Sequence, residues 1–159
     1  MPKRTILLVR HAYSGPISAS YAEYDKAGGP IIEKGVAQAE GLGRLLALRG
    51  VDVTQEPVAV SEMLRTRQTA ERAGFTDIRA NPLLNEVNTA DPQRTLTLVT
   101  EGKLPEEAIA AARAILANPP PENIWVTHGL PMAALLVELG LSDSEHFIPG
   151  NCEIRGIQL

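Results

Sequence analysis

The chain reads as an α/β fold. Short apolar runs alternate with longer segments of helical period, the pattern of strands separated by packed helices. Two of its three histidines, His11 and His128, stand directly after such runs. In open α/β sheets ligands gather at the carboxyl ends of strands, so polar residues at those ends mark the candidate site.

The first strand is Thr5-Ile6-Leu7-Leu8-Val9, followed by Arg10 and His11. A loop runs from Tyr13 to Ile32 and carries all three tyrosines, Tyr13, Tyr21 and Tyr24, which suit either a pocket mouth or the anchoring of a long loop. Glu33 to Arg49 is expected as a helix, with Val36, Ala39, Leu42, Leu45, Leu46 and Leu48 on its apolar face and Gly50 as its stop. Pro57–Val60 reads as a short strand. Ser61 is an expected N-cap for a helix over 62–73, which Gly74 ends.

Ile78–Ala80 is a weaker strand, and 81–102 carries no clear period. Pro105 to Leu116 reads as a helix with proline in its first turn, and Asn118-Pro119-Pro120-Pro121 breaks the chain. Ile124–Thr127 is a buried strand, Leu130–Leu139 a helix stopped by Gly140, and Cys152–Leu159 a closing strand. Residues 1–159 are expected to form one domain, with too little sequence after the prolines for a second.

The balance of 44% hydrophobic and 21% charged residues suits an ordinary globule, and a net charge of −4 argues against nucleic-acid or anionic-membrane binding. Any anion site must then be a local concentration of positive charge. A single cysteine, Cys152, excludes an intramolecular disulfide, and the lack of His-x-x-x-His spacing disfavours a metal site. The apolar run before Arg10 is shorter than the core of a secretory signal, and no run is long enough to span a membrane. A cytoplasmic protein is the expectation.

Three junctions carry groups suited to one anion. The first offers Arg10, His11 and Ser14; the second offers Arg65 and Arg67; the third offers His128 before a helix beginning near Leu130. Parallel neighbours joined by right-handed crossovers would bring these junctions to one sheet edge, where helix N-termini favour phosphate. Taken alone, the Arg10–His11 pair is better explained by a salt bridge and a turn cap. Arg65 and Arg67 point to different helix faces, and periodicity does not rank them. His146 sits in a polar stretch and reads as a surface or capping residue.

Four blocks in order resemble the histidine phosphatase superfamily, also called phosphoglycerate mutase-like. They are Leu8-Val9-Arg10-His11-Ala12, the segment Ser61-x-x-x-Arg65-x-x-Gln68-Thr69-Ala70, Leu84-Asn85-Glu86, and Val126-Thr127-His128-Gly129. The run Ile32-Glu33-Lys34-Gly35-Val36-Ala37-Gln38-Ala39 also looks like the family's helix entry. The resemblance implies a three-layer α/β/α sandwich with a mostly parallel sheet, and it selects Arg65 over Arg67.

The resemblance further implies that His11 is a nucleophile phosphorylated on the imidazole, with Arg10, Arg65 and His128 around the transferred group. Glu86 falls on the family's proton donor, and Ser14 and Gly129 complete the substrate-facing set. No metal or organic cofactor is implied. Ala12 replaces a common glycine, Ile17 replaces an asparagine of many sugar-phosphate enzymes, and Val87–Asp91 lacks the second acidic motif, which leaves Asp91 as the substitute acid.

The implied activity is that of an acid-phosphatase-like phosphohydrolase acting on a phosphomonoester or phosphohistidine, carried by a small molecule or a protein. A phosphate-binding regulatory module without turnover is the alternative. A mutase-type phosphotransferase is less favoured, because Arg94 and Lys103 are the only added cations in the second candidate lid, 85–103.

Overall fold

Strand β1, Thr5–Arg10, sends its aliphatic side chains into two covered environments. Ile6 and Leu8 pack to one side of the sheet; Val9 packs to the other, and Leu7 joins it there. A strand covered on both faces is what an unbroken aliphatic run specifies. The computed structural model describes residues 3–15, 30–87, 91–142 and 148–159. Tyr21, Tyr24, Ile17 and His146 lie outside them.

Four further strands join β1: β2 (Val58–Val60), β3 (Ile78–Ala80), β4 (Ile124–Thr127) and β5 (Ile154–Gln158), in spatial order β3-β2-β4-β1-β5. All neighbours pair in parallel except β5, which runs antiparallel to β1 at the edge. Helices α1 (Glu33–Leu48) and α2 (Leu64–Ala73) cover one face, where Leu42, Leu46, Ala70 and Ala73 meet Val9, Val58, Val60 and Val126. Helices α4 (Glu106–Ala117) and α5 (Gly129–Glu138) cover the other, where Ala112, Ile115, Met132 and Leu135 meet Ile6, Leu8 and Trp125. The result is the expected three-layer α/β/α sandwich with a mostly parallel sheet.

Three local expectations are corrected. Ser61 does not cap α2: Met63 is the N-cap, the helix starts at Leu64, and the Ser61 hydroxyl is engaged elsewhere. The unassigned stretch 81–102 contains a 3₁₀ turn, Pro82–Leu84, and a helix, α3 (Pro92–Thr100), opened by Asp91 as N-cap and Pro92 at its first position. The last strand begins at Ile154 rather than Cys152, because Cys152 takes a left-handed φ of 56° in a tight turn. The expected chain break at Asn118–Pro121 is tied to the start of β1, since Arg4 donates to the carbonyls of Pro120 and Pro121. The expected stop at Gly74 is present, with a φ of 104° that an L side chain rarely adopts.

Candidate active site

Strand register brings the three junctions together. Arg10 pairs with Thr127, and Val60 with Val126, so the chain leaves β1, β4 and β2 at one level. The ladders continue one step further, with His11 N–H donating to Thr127 O and Ser61 N–H to Val126 O. His11 and His128 therefore lie side by side, ring centroids 5.1 Å apart.

These polar groups are buried. His128 has no exposure, Arg65 has 2% and His11 has 6%. Arg67 is exposed, so of the two arginines only Arg65 turns inward. Burying guanidinium and imidazole groups together costs several kcal/mol and is tolerated where an anion or fixed dipoles compensate.

The His11 pKa is pushed down to about 3, chiefly by burial and further by the Arg65 and Arg10 guanidinia, against the raising effect of a bond to the Ala12 carbonyl. His11 is thus neutral at physiological pH. Its Nδ1 lies 2.7 Å from Ala12 O. A carbonyl oxygen can only accept, so Nδ1 carries the proton and the lone pair resides on Nε2.

His128 is also held neutral, well below the ordinary imidazole range, by burial and then by His11, Arg65 and Arg10. Its Nε2 meets Ser61 Oγ at 2.8 Å, while Nδ1 lies 3.9 Å from Glu86 Oε2. That approach joins a neutral ring to a carboxyl group and is no ion pair. Glu86 itself is nearly buried, with Oε1 accepting the Val87 N–H at 2.9 Å. Asp91, the substitute acid, accepts the Arg94 N–H as the cap of α3 and stays exposed.

The chain matches a known family. A model of the histidine phosphatase superfamily (branch 1) matches residues 6–110. The chain belongs to that superfamily. The matched span holds Arg10, His11, Arg65 and Glu86, and the folded chain adds His128 from beyond it.

Solved structures agree on the histidine phosphatase fold. A phosphoglycerate mutase from Thermus thermophilus is 23% identical, with a TM-score of 0.66 over 96% of this chain and 92% of that one. A mycobacterial glucosyl-3-phosphoglycerate phosphatase is 19% identical, with a TM-score of 0.66 over 96% and 89%. A protein from Mycobacterium tuberculosis is 22% identical, with a TM-score of 0.64 over 96% and 90%. No curated protein sequence matches significantly.

A set of supporting contacts surrounds this candidate site. Arg10 donates through Nη1 to Pro149 O at 2.7 Å and packs over the start of α5, where a Cβ on Gly129 would meet its Cζ and Nε at 3.4 Å. The tight neighbour of that Cβ would be Ile148 Cγ2 at 2.9 Å, so Gly129 makes room for Ile148 while the guanidinium stands at ordinary contact distance. Thr127 donates to Leu84 O at 2.8 Å, tying the end of β4 to the turn that presents Glu86. Asn85 and Glu62 bond reciprocally on the rim, Glu62 N–H to Asn85 Oδ1 and Asn85 Nδ2 to Glu62 Oε1. Ser14, the last expected site residue, is buried just beyond Tyr13.

Gln38, Thr69 and Asn151 each bond the backbone at His11–Tyr13. Only the Gln38 and Thr69 positions lie in runs that carry the family resemblance, and Asn151 carries no local signal. Among the described residues, no group of three or more His, Cys, Asp or Glu side chains is placed to hold a metal ion. Nor is any described helix long and apolar enough to cross a membrane.

Proposed function

We propose that the protein is a phosphohydrolase that transfers a phosphoryl group to His11 and then to water. The observation that carries this reading is the state of His11. It is neutral, locked by Nδ1–H to the Ala12 carbonyl, and set beside two guanidinia with its Nε2 lone pair available.

In the first step Nε2 bonds to phosphorus and the bond from phosphorus to the leaving atom breaks, an oxygen in a phosphomonoester and an imidazole nitrogen in a phosphohistidine. Arg10 and Arg65 balance charge on the equatorial oxygens with planar, bidentate forks. His128 contributes a neutral polar edge. The Glu86 carboxylic acid passes its proton to the leaving atom. In the second step the Glu86 carboxylate takes a proton from water as that water bonds to phosphorus. The P–N bond breaks, and inorganic phosphate and His11 are released.

The substrate class is a phosphomonoester or a phosphohistidine, on a small molecule or on a protein. Both candidate lids are short, which favours groups presented with little surrounding recognition. A cytoplasmic setting is part of the proposal, and a single free thiol, Cys152, is compatible with it.

The test is steady-state hydrolysis of aryl phosphates, sugar phosphates, nucleotides and phosphohistidine by the wild type and His11→Gln, with chelator present. Turnover by the wild type, abolished in His11→Gln, is expected. Tight binding of inorganic phosphate without turnover on any substrate would instead assign a silent phosphate-binding module.

A further inference from the structure

Where the chain leaves β1, its peptide groups lose their ladder partners at the place where His11 must be held. Two consecutive peptide planes show how they are satisfied. In the His11–Ala12 peptide the carbonyl accepts from Asn151 Nδ2 at 3.0 Å, and the N–H donates to Thr69 Oγ1 at 2.9 Å. In the Ala12–Tyr13 peptide the carbonyl accepts from His11 Nδ1 at 2.7 Å, and the N–H donates to Gln38 Oε1 at 2.9 Å. The supports come from α1, α2 and the turn before β5. Thr69 in turn donates to Arg65 O at 2.7 Å, linking the same planes to the buried arginine.

We infer that Gln38 and Asn151 are positioning residues for His11: together they hold the two peptide planes that aim its imidazole, and Gln38 polarises the carbonyl that supports the ring during phosphorylation. This rests on the reading of His11 as the nucleophile. As Nε2 bonds to phosphorus the ring gains positive charge and its Nδ1–H becomes a stronger donor. The Ala12 carbonyl must then be fixed and electron-rich. Gln38 accepts the N–H at the other end of that same amide, and bonds in such a chain strengthen one another.

The polarity of each contact is dictated by its partner. A backbone N–H can only donate, so Gln38 presents its oxygen; a backbone carbonyl can only accept, so Asn151 presents its nitrogen. A carboxylate at position 38 therefore preserves the contact. A carboxylate at position 151 sets one acceptor against another.

Gln38→Glu, Gln38→Met and Asn151→Asp separate positioning from mere scaffolding. Three readouts are compared with wild type: rapid-quench phosphorylation by p-nitrophenyl phosphate, the Kd for inorganic phosphate, and the ¹⁵N spectrum of the His11 ring. Gln38→Met and Asn151→Asp are expected to slow phosphorylation about tenfold, with phosphate affinity kept within about twofold and Gln38→Glu close to wild type. The His11 ring should hold a single Nδ1–H tautomer in wild type and Gln38→Glu, and lose it in the other two.

Equal rates in all variants, or phosphorylation and phosphate binding falling in parallel, would overturn the inference. Should Asn151→Asp fail to fold, the Gln38 pair, alike in size and differing in the acceptor, decides it. If the wild type itself forms no phosphoenzyme, the nucleophile reading fails on its own, and the ring spectra still decide the positioning.

Discussion

His11 and His128 lie side by side, ring planes tilted by 60° and centroids 5.1 Å apart, because Arg10 and Thr127, the residues before them, are partners in adjacent parallel strands. The strand register thus brings the two imidazoles together at one end of the sheet. Deep burial, and then the two adjacent guanidinia, keep both rings neutral. Neutrality serves attack on phosphorus and makes the site sensitive to acid.

The sign of that sensitivity follows from linkage. An imidazole in the unfolded chain protonates near 6.5, whereas His11 in the fold does so near 3. Between these values the unfolded state binds the extra proton, so stability from this group is complete above pH 6.5 and declines as pH falls toward 3. Urea unfolding at about pH 7 and about pH 5 should show a larger acid loss for wild type than for His11→Gln. An NMR titration in which the His11 ring protonates near its ordinary value of 6.5 would contradict the assigned environment.

Arg65 is expected to act through its fork as well as its charge. Arg65→Lys should lower kcat/KM at least about 100-fold, since an ammonium cannot reproduce the bidentate contact. The exposed Arg67 serves as the control, and Arg67→Ala should leave kcat/KM within about twofold. Comparable losses at both positions would refute the selection of Arg65.

Glu86 and Asp91 should separate cleanly by leaving group. Glu86→Gln is expected to depress hydrolysis of alkyl phosphates far more than of an activated aryl phosphate, whose leaving group needs no proton. Asp91→Ala should leave both rates intact and cost about 1 kcal/mol of stability, the worth of the α3 cap. A leaving-group effect at Asp91 with none at Glu86 would reverse the assignment.

Much of the fold is legible in the chain because the relevant signals are local. The aliphatic runs before His11 and His128 are unambiguous strands, and Gly74 marks a real helix end. Arg65 is not told from Arg67 by spacing; the family resemblance selects it, and burial against the sheet separates the two. Helix α3 is hard to see in the sequence because its threonines weaken the helical period, although Asp91-Pro92 is a cap followed by a first-turn proline. Ser61 has the residue type of a cap without the role. Its hydroxyl is drawn to His128, 67 residues away, along with Thr66 and the Met63 N–H. Asn151 is illegible for the same reason: its partner is the His11 carbonyl, brought near by the antiparallel edge strand.

Helix α1 approaches the nucleophile loop so closely that position 35 has no room for a side chain. A Cβ on Gly35 would overlap the Tyr13 carbonyl oxygen, whereas one on Gly41 would meet only Arg44 Nη2 at 3.7 Å. Gly35→Ala should destabilise by about 1–3 kcal/mol, a Tm loss of roughly 3–10 °C, and impair phosphorylation as the loop shifts. Gly41→Ala should instead stabilise by about 0.5–1 kcal/mol through helix propensity. Thermal melts of the two variants check the contrast.

The covalent step is the centre of the proposed mechanism, and a rapid-quench experiment reads it directly. Wild type and His11→Gln are mixed with ³²P-labelled aryl phosphate, quenched in alkali and digested, and the labelled peptide is sequenced. Label on the peptide containing His11, stable to alkali, lost in acid and missing from His11→Gln, is the predicted result. Turnover with no labelled protein at any time, or label that persists in His11→Gln, would contradict the mechanism.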